Sequence, residues 1–250
     1  MPDAPSLPVP PPAAPSADAE TGASRRRALA EVILCSGYPS QVALGGLLRA
    51  AGLQPLTPGG HLSATFVFLL SLIDSVVLLA LMIWLLRARG ESPLGVFFGG
   101  RRVRAEAAFG VATLPGILLL VMIVTVVIRL VAPGLHNVPE NPLEALLGTQ
   151  AGLPAFLFVV IVAGGVREEL QRAFLLHRFR EDLGGERLGL MLTSLAFGLG
   201  HTIQGFDAAI ITALLGAAWG AVYLARRSVV AGIVSHSLFN GGQLALAVLR

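Results

Sequence analysis

Long apolar runs alternate with short polar ones along this chain, and the runs have membrane length. The first runs from about Ala28 to Leu53, interrupted by Glu31, Pro39, Gly45, Gly46 and Arg49, which predicts an interfacial or broken helix. The second is Leu62 to Leu86 and the third Ala105 to Ala132, with a kink expected at Pro115. The fourth begins near Leu153 and carries Glu168 and Glu169 toward its end. The fifth is Leu188 to about Ile203, the sixth Asp207 to Ala225 and the seventh Val229 to Leu249. About 20 residues of helix cross a hydrocarbon core. The pattern predicts an all-α, polytopic transmembrane helix bundle of about seven segments. Ahead of it, Met1 to Ser24 is rich in Pro, Ala and Ser, and Arg25, Arg26 and Arg27 follow. Residues 1–27 are expected to be a disordered cytoplasmic tail and 28–250 one membrane domain.

Composition agrees. The chain is 54% hydrophobic and 13% charged, against about 25% charged in soluble domains. Its basic residues are all arginine, and with the abundant Ala, Gly, Leu and Val this points to a GC-rich bacterial genome. The net charge of +3 does not imply nucleic-acid binding, because the arginines fall in short loops that set topology. Arg87, Arg89, Arg101, Arg102 and Arg104 lie between segments two and three. Arg178, Arg180 and Arg187 follow segment four, and Arg226 and Arg227 follow segment six. The intervening loops, Gln54 to His61, Pro133 to Gly152 (with Glu140 and Glu144) and Thr202 to Gly205, carry no arginine. The alternation predicts a cytoplasmic N-terminus in a bacterial plasma membrane. Cys35 stands alone, which excludes an internal disulfide and a multi-cysteine metal site. No cleavable signal peptide is expected.

Three polar clusters break the apolar pattern: Glu168-Glu169 with Arg172, Phe197-x-x-x-His201, and His236-x-x-x-Asn240. Ionisable groups at membrane depth are costly and mark functional sites. Residues three or four apart share a helix face. Arg172 can therefore fix one glutamate while the other stays free to act as a base. At about 1.5 Å per residue, Glu168, His201 and His236 lie on the order of 10–20 Å below the basic ends of their helices, so they could converge in a cytoplasm-facing cavity. The bland alternative is an ion-pair cluster and interhelical polar contacts that only pin helices. Asp74 reads as a packing or cavity residue, His177 as loop-proximal, Arg129 and His136 as interfacial, and Trp84 as part of an aromatic belt.

With these motifs in order, the chain resembles the CPBP group, the CAAX prenyl proteases and bacteriocin-processing enzymes also called Abi-type intramembrane endopeptidases. The resemblance covers about Leu153 to Leu249, with a weaker match from Leu94 to Gly99. That family carries Glu-Glu-x-x-x-Arg, Phe-x-x-x-His and His-x-x-x-Asn/Asp motifs. The second and third are intact here; in the first, the family arginine position is Ala173 and the arginine comes one residue earlier, at Arg172. A one-residue shift turns a side chain by roughly 100°. The ion-pair partner could then become Glu168, or both glutamates could share it.

The resemblance implies an intramembrane endopeptidase with its catalytic core at 153–249, acting on a membrane-anchored peptide or protein near the cytoplasmic face. It implies Glu168 as the water-activating residue, with His201 holding the water or moving its proton. His236 and Asn240 would stabilise the oxyanion. Glu169, Arg172 and Phe197 would support them. No cofactor is expected. Zinc on Glu168, His201 and His236 ranks lower, since the His-Glu-x-x-His motif is absent. The competing readings are a non-catalytic membrane scaffold or immunity protein of the same fold, and a small proton-coupled transporter.

Overall fold

The computed structural model describes residues 17–139, 141–143, 146 and 152–249. Among them the chain is helical: α1 (Ala17–Leu34), α2 (Tyr38–Ala50), α3 (Ala64–Ala88), α4 (Pro93–Phe98), α5 (Val103–Val131), α6 (Gly152–Val159), α7 (Glu168–Asp182), α8 (Glu186–Leu199), α9 (Phe206–Arg226) and α10 (Val230–Val248). A π-helical stretch, Val160–Arg167, joins α6 to α7 without a break.

By length and composition, α3, α5 and α9 are able to cross a membrane, which covers the second, third and sixth expected segments. The others depart for visible reasons. The first segment splits at Gly37, whose φ of 90° a helix interior does not accept, into α1 and α2. The fourth becomes α6, the π stretch and a charged α7. The fifth, α8, has 14 residues and covers about 21 Å of the roughly 30 Å core. The seventh, α10, has 19 residues, but His236, Asn240 and Gln243 dilute its apolar face. α5 runs on through Pro115 as one helix.

From Ala17 the chain is already helical, because alanines and glutamate favour helix there and α1 is tied down at its far end. Glu31, 3% exposed, pairs with Arg27, Arg89 and Arg178, while Asp182 takes hydrogen bonds from Arg89 and Ser24. Residues 1–16 of the tail, and Glu140 and Glu144 of the acidic loop, lie outside the described residues.

Polarity is inverted relative to a soluble protein. α7 is the most polar long helix of the membrane domain, yet Glu169, Gln171, Arg172 and Arg178 on it are buried with Leu170, Phe174 and Leu176. α5 instead exposes Leu118, Leu119, Met122, Ile123, Val126, Val127 and Leu130. Apolar outside and paired charges inside suit a lipid solvent. The main core gathers Leu78, Met82, Leu86, Phe97, Phe174, Leu176 and Tyr223 around α7, between α3, α4 and α9. α8 packs along α9, and α10 packs against α5 and the π stretch. Those contacts bring α7, α8 and α10 together.

Candidate active site

The π stretch sets the site. Its wider turn carries Gly164 and Gly165 against α10, where a β-carbon would stand 2.6 Å from Nδ2 of Asn240 and 2.0 Å from Oγ of Ser237. At Gly164 only the end of the Asn240 side chain would have to move, whereas at Gly165 a β-carbon would also crowd Cβ of Ser237 at 3.1 Å. The π stretch ends directly at Glu168, so the carboxylate leaves the helix at the point where the normal helical repeat resumes. Such π insertions recur at functional sites.

The two glutamates then have opposite environments. Glu169 is 2% exposed and binds Arg172 three residues on; its Oε1 also accepts from Nδ1 of His236 at 2.9 Å. Glu168 has a side chain 16% exposed, and Nε2 of His236 lies 3.9 Å from its Oε2. Among the described residues it accepts no hydrogen bond. The shifted arginine has therefore kept Glu169 as its partner, and Glu168 is the free carboxylate. The guanidinium of Arg172 also lies over Phe197, 4.9 Å from the ring centroid. The displaced arginine is thus held by an acid and an aromatic face together.

His236 is fixed on three sides. Glu169 holds Nδ1, Trp219 stacks on the ring with centroids 3.8 Å apart, and Phe197 meets it edge-on at 6.4 Å. Nδ1–H donation to Glu169 leaves Nε2 toward Glu168. Phe197 lies in the last turn of α8 and His201 just beyond its end, with Nδ1 of His201 donating to the carbonyl of Phe197 at 2.8 Å. That bond likewise leaves its Nε2 unengaged. Asn240 lies one turn after His236 on α10.

Two cavities meet here. One, of about 520 Å³, is lined by Glu168, His201, His236, Asn240, Phe197 and Trp219. The other, of about 580 Å³, runs past Arg172, Leu175, Phe179 and Tyr38. Both share a wall of Ser71, Leu143, Arg167, Glu168, Phe197, His201 and Gln204. Glu168, His201, His236 and Asn240 thus line one space, while Glu169 stands behind it. Among the described residues no group of three or more His, Cys, Asp or Glu side chains is placed to hold a metal ion.

Two neighbours escaped the sequence reading. Trp219 had no motif to announce it. Arg167 did leave a signal, as an arginine in an apolar run directly before the glutamates. Asp74, read as a packing or cavity residue, is fully buried; its carboxylate accepts from Ser40 and Gln41 at the start of α2 and lies 3.5 Å from Nη2 of Arg167.

Comparison with known proteins gives one match. Residues 149–242 fit the family model described as type II CAAX prenyl endopeptidase Rce1-like. No curated protein and no solved structure matches the chain. The matched stretch holds all the residues singled out from α7, α8 and α10.

Proposed function

We propose that this chain, which carries a type II CAAX prenyl endopeptidase Rce1-like domain over residues 149–242, hydrolyses peptide bonds of membrane-anchored substrates with a water activated by Glu168. The carrying observation is the division between the two glutamates. Glu169 is consumed by Arg172 and His236, while Glu168 faces the cavity with no hydrogen bond among the described residues. A carboxylate with unengaged oxygens can take a proton from water; one already shared by two donors cannot do so without giving them up.

In this reading Glu168 removes a proton from a cavity water, and the resulting hydroxide attacks the scissile carbonyl. His201 has Nε2 available to orient the water or carry its proton. The amide of Asn240 donates to the oxyanion. His236 can donate there through Nε2 only when both ring nitrogens are protonated, because Nδ1–H is committed to Glu169. Glu168 then returns the proton to the amine nitrogen as the tetrahedral intermediate collapses and the C–N bond breaks, which leaves the carboxylate free again. No step needs a metal. The site would serve the cytoplasmic face of a bacterial plasma membrane, with the N-terminus on that side. The displaced Arg172 was the feature favouring a non-catalytic scaffold, and its pairing with Glu169 supports the peptidase reading instead.

The test is cleavage of a membrane-anchored peptide library by purified protein, wild type beside Glu168→Gln, His201→Ala and His236→Ala, each with and without a zinc chelator. Cleavage lost in all three variants and indifferent to chelator supports the reading. Cleavage abolished by chelator and restored by zinc overturns the metal-free mechanism. A folded wild type that cuts nothing in the library returns weight to the scaffold.

A further inference from the structure

The two cavities leave their shared wall in opposite directions. One follows α7 from Glu168 past Arg172 and Leu175 to Phe179, about 16 Å toward the basic end of the bundle, where Asp182 meets Arg89. The other follows α10 from His236 through Asn240 and Gln243 to Ala247, also about 16 Å, away from that end. These four residues share one helix face. On α9, which a short turn joins to α10, Trp219 stacks on His236, and Thr212 and Ala208 line the same arm further out. The arm ends beside the turn between α8 and α9, where His136 meets Asp207.

The polar side chains of the two arms differ in what they are bound to. Beyond the shared wall, each one in the α7 arm already has a partner in the chain. Ser36, Tyr38 and Thr193 donate to the carbonyls of Ile33, Ala196 and Gly189. Gln41 donates to Asp74, Gln171 to the carbonyl of Cys35 and Arg172 to Glu169. In the α10 arm, the amides of Asn240 and Gln243 and the hydroxyl of Thr212 have no hydrogen-bond partner among the described residues. Gln204 is engaged through Oε1 alone, by Asn141 at 3.5 Å. Unpaired amides at membrane depth are costly unless water reaches them. All four are uncharged and offer water both donors and acceptors, about three of which a confined water molecule uses.

We propose that the α10 arm is a water inlet, through which the nucleophilic water reaches Glu168 from the end of the bundle opposite the arginine-rich loops. This rests on the peptidase reading for its purpose, while the route itself is measurable without cleavage. A substrate entering along α7 fills that arm and excludes solvent from it. The water consumed in each turnover then arrives from the other side, past Gln243, Thr212 and Asn240. The loop charges put that mouth on the non-cytoplasmic side.

The test places single cysteines in the full chain, in sealed membrane vesicles of both orientations, and labels them with a charged, membrane-impermeant methanethiosulfonate. Wild type, whose one cysteine, Cys35, is buried, is the blank. Gln243→Cys and Thr212→Cys probe the arm, Arg102→Cys marks the basic end, and Val126→Cys on the exposed face of α5 is the lipid control. The thiolate is the reacting form, and apolar surroundings suppress it. Both arm cysteines are expected to react from the face opposite Arg102→Cys, at least about tenfold faster than Val126→Cys. Modified Thr212→Cys is then expected to lose most of its kcat on a membrane-anchored peptide with KM unchanged, and to regain it when a reductant removes the adduct. The plug is added after folding, so the loss reports the blocked arm rather than misfolding. Labelling no faster than the lipid control, or only from the Arg102→Cys side, overturns the inlet. Full cleavage by fully modified Thr212→Cys also overturns it. If wild type cuts nothing, the peptidase reading fails alone, and the sided labelling still decides the route.

Discussion

The indole of Trp219 lies against the imidazole of His236 with the two planes 17° apart, and Nε1 of the indole donates to Ser235 on the same helix at 3.2 Å. Trp219 comes from α9 and His236 from α10, so the stack joins two helices through the ring that must be aimed. An aromatic stack adds about 0.5–1.5 kcal/mol beyond simple burial. Trp219→Phe is expected to lower kcat/KM by roughly twofold to tenfold by loosening His236. Trp219→Ala leaves a buried void and is expected to cost about 3–5 kcal/mol of stability. Thermal melts beside peptide-cleavage rates separate the two effects. An unchanged rate in Trp219→Phe would show that the stack does not aim the ring.

Glu168 and Glu169 are adjacent in sequence and should fail in opposite ways. Glu168→Gln removes a cavity carboxylate with no hydrogen bond to lose, so stability is expected to stay within about 0.5 kcal/mol while cleavage falls by about 10²- to 10⁴-fold. Glu169→Ala strands Arg172 and His236 in the interior and is expected to cost about 3–5 kcal/mol. Melting curves and initial rates on the same preparations check both. A Glu168→Gln enzyme at full rate would remove Glu168 from the chemistry.

Gly232 on α10 faces the locked carboxylate: a β-carbon there would lie 2.5 Å from Oε2 of Glu169. Glu169 is held by Arg172 and His236 and has little freedom to withdraw. Gly232→Ala is expected to destabilise by about 1–3 kcal/mol through overpacking and to reduce cleavage by shifting His236. Gly46 on α2, with open space around its β-position, is the control. There Gly→Ala is expected to be neutral or to stabilise by up to about 1 kcal/mol. Equal behaviour of the two variants in melting would contradict the close approach.

At the basic end, burial alone would push the Asp182 carboxyl up, but hydrogen bonds from Ser24 and Arg89 and the charges of Arg89 and Arg178 outweigh it and hold it below its ordinary value of 3.8. A carboxylate lowered in the folded state contributes stability that is complete above its unfolded value and is lost as pH falls through the folded one. Below about pH 4 the wild type is expected to lose more stability than Asp182→Asn, and above that pH the difference between them should be constant. Melting temperatures from pH 7 to pH 3 check this; parallel curves throughout would exclude Asp182 as a contributor.

Much of this arrangement was legible in the residues. The three polar clusters named the helices that meet, and the spacing of His236 and Asn240 on one face carried over directly into the cavity. The all-helical class followed from run length. Other features depend on contacts that no periodicity encodes. Helical spacing let Arg172 reach either Glu169, three residues back, or Glu168, four back, and the structure pairs it with Glu169, which also binds His236 of α10. The π stretch before them, with Gly164 and Gly165 against α10, has no signature in the apolar periodicity. Trp219 looked like any apolar helix residue until α9 and α10 were side by side. Of the seven apolar runs, three are helices long and apolar enough to span among the described residues; α8 is shorter and α7 carries buried charges.

Chain order adds a temporal consequence. α10 is synthesised after the other elements of the site, and it brings His236, Asn240 and the glycine that admits Glu169. Until it threads between α5 and the π stretch, Arg172 and Glu169 lack their third partner and the cavity lacks one wall. A ribosome partway through this chain has therefore released Glu168 into the membrane without the groups that would work with it. If the site works as proposed, a nascent chain that ends before α10 would lack His236 and Asn240 and be inert toward its neighbours.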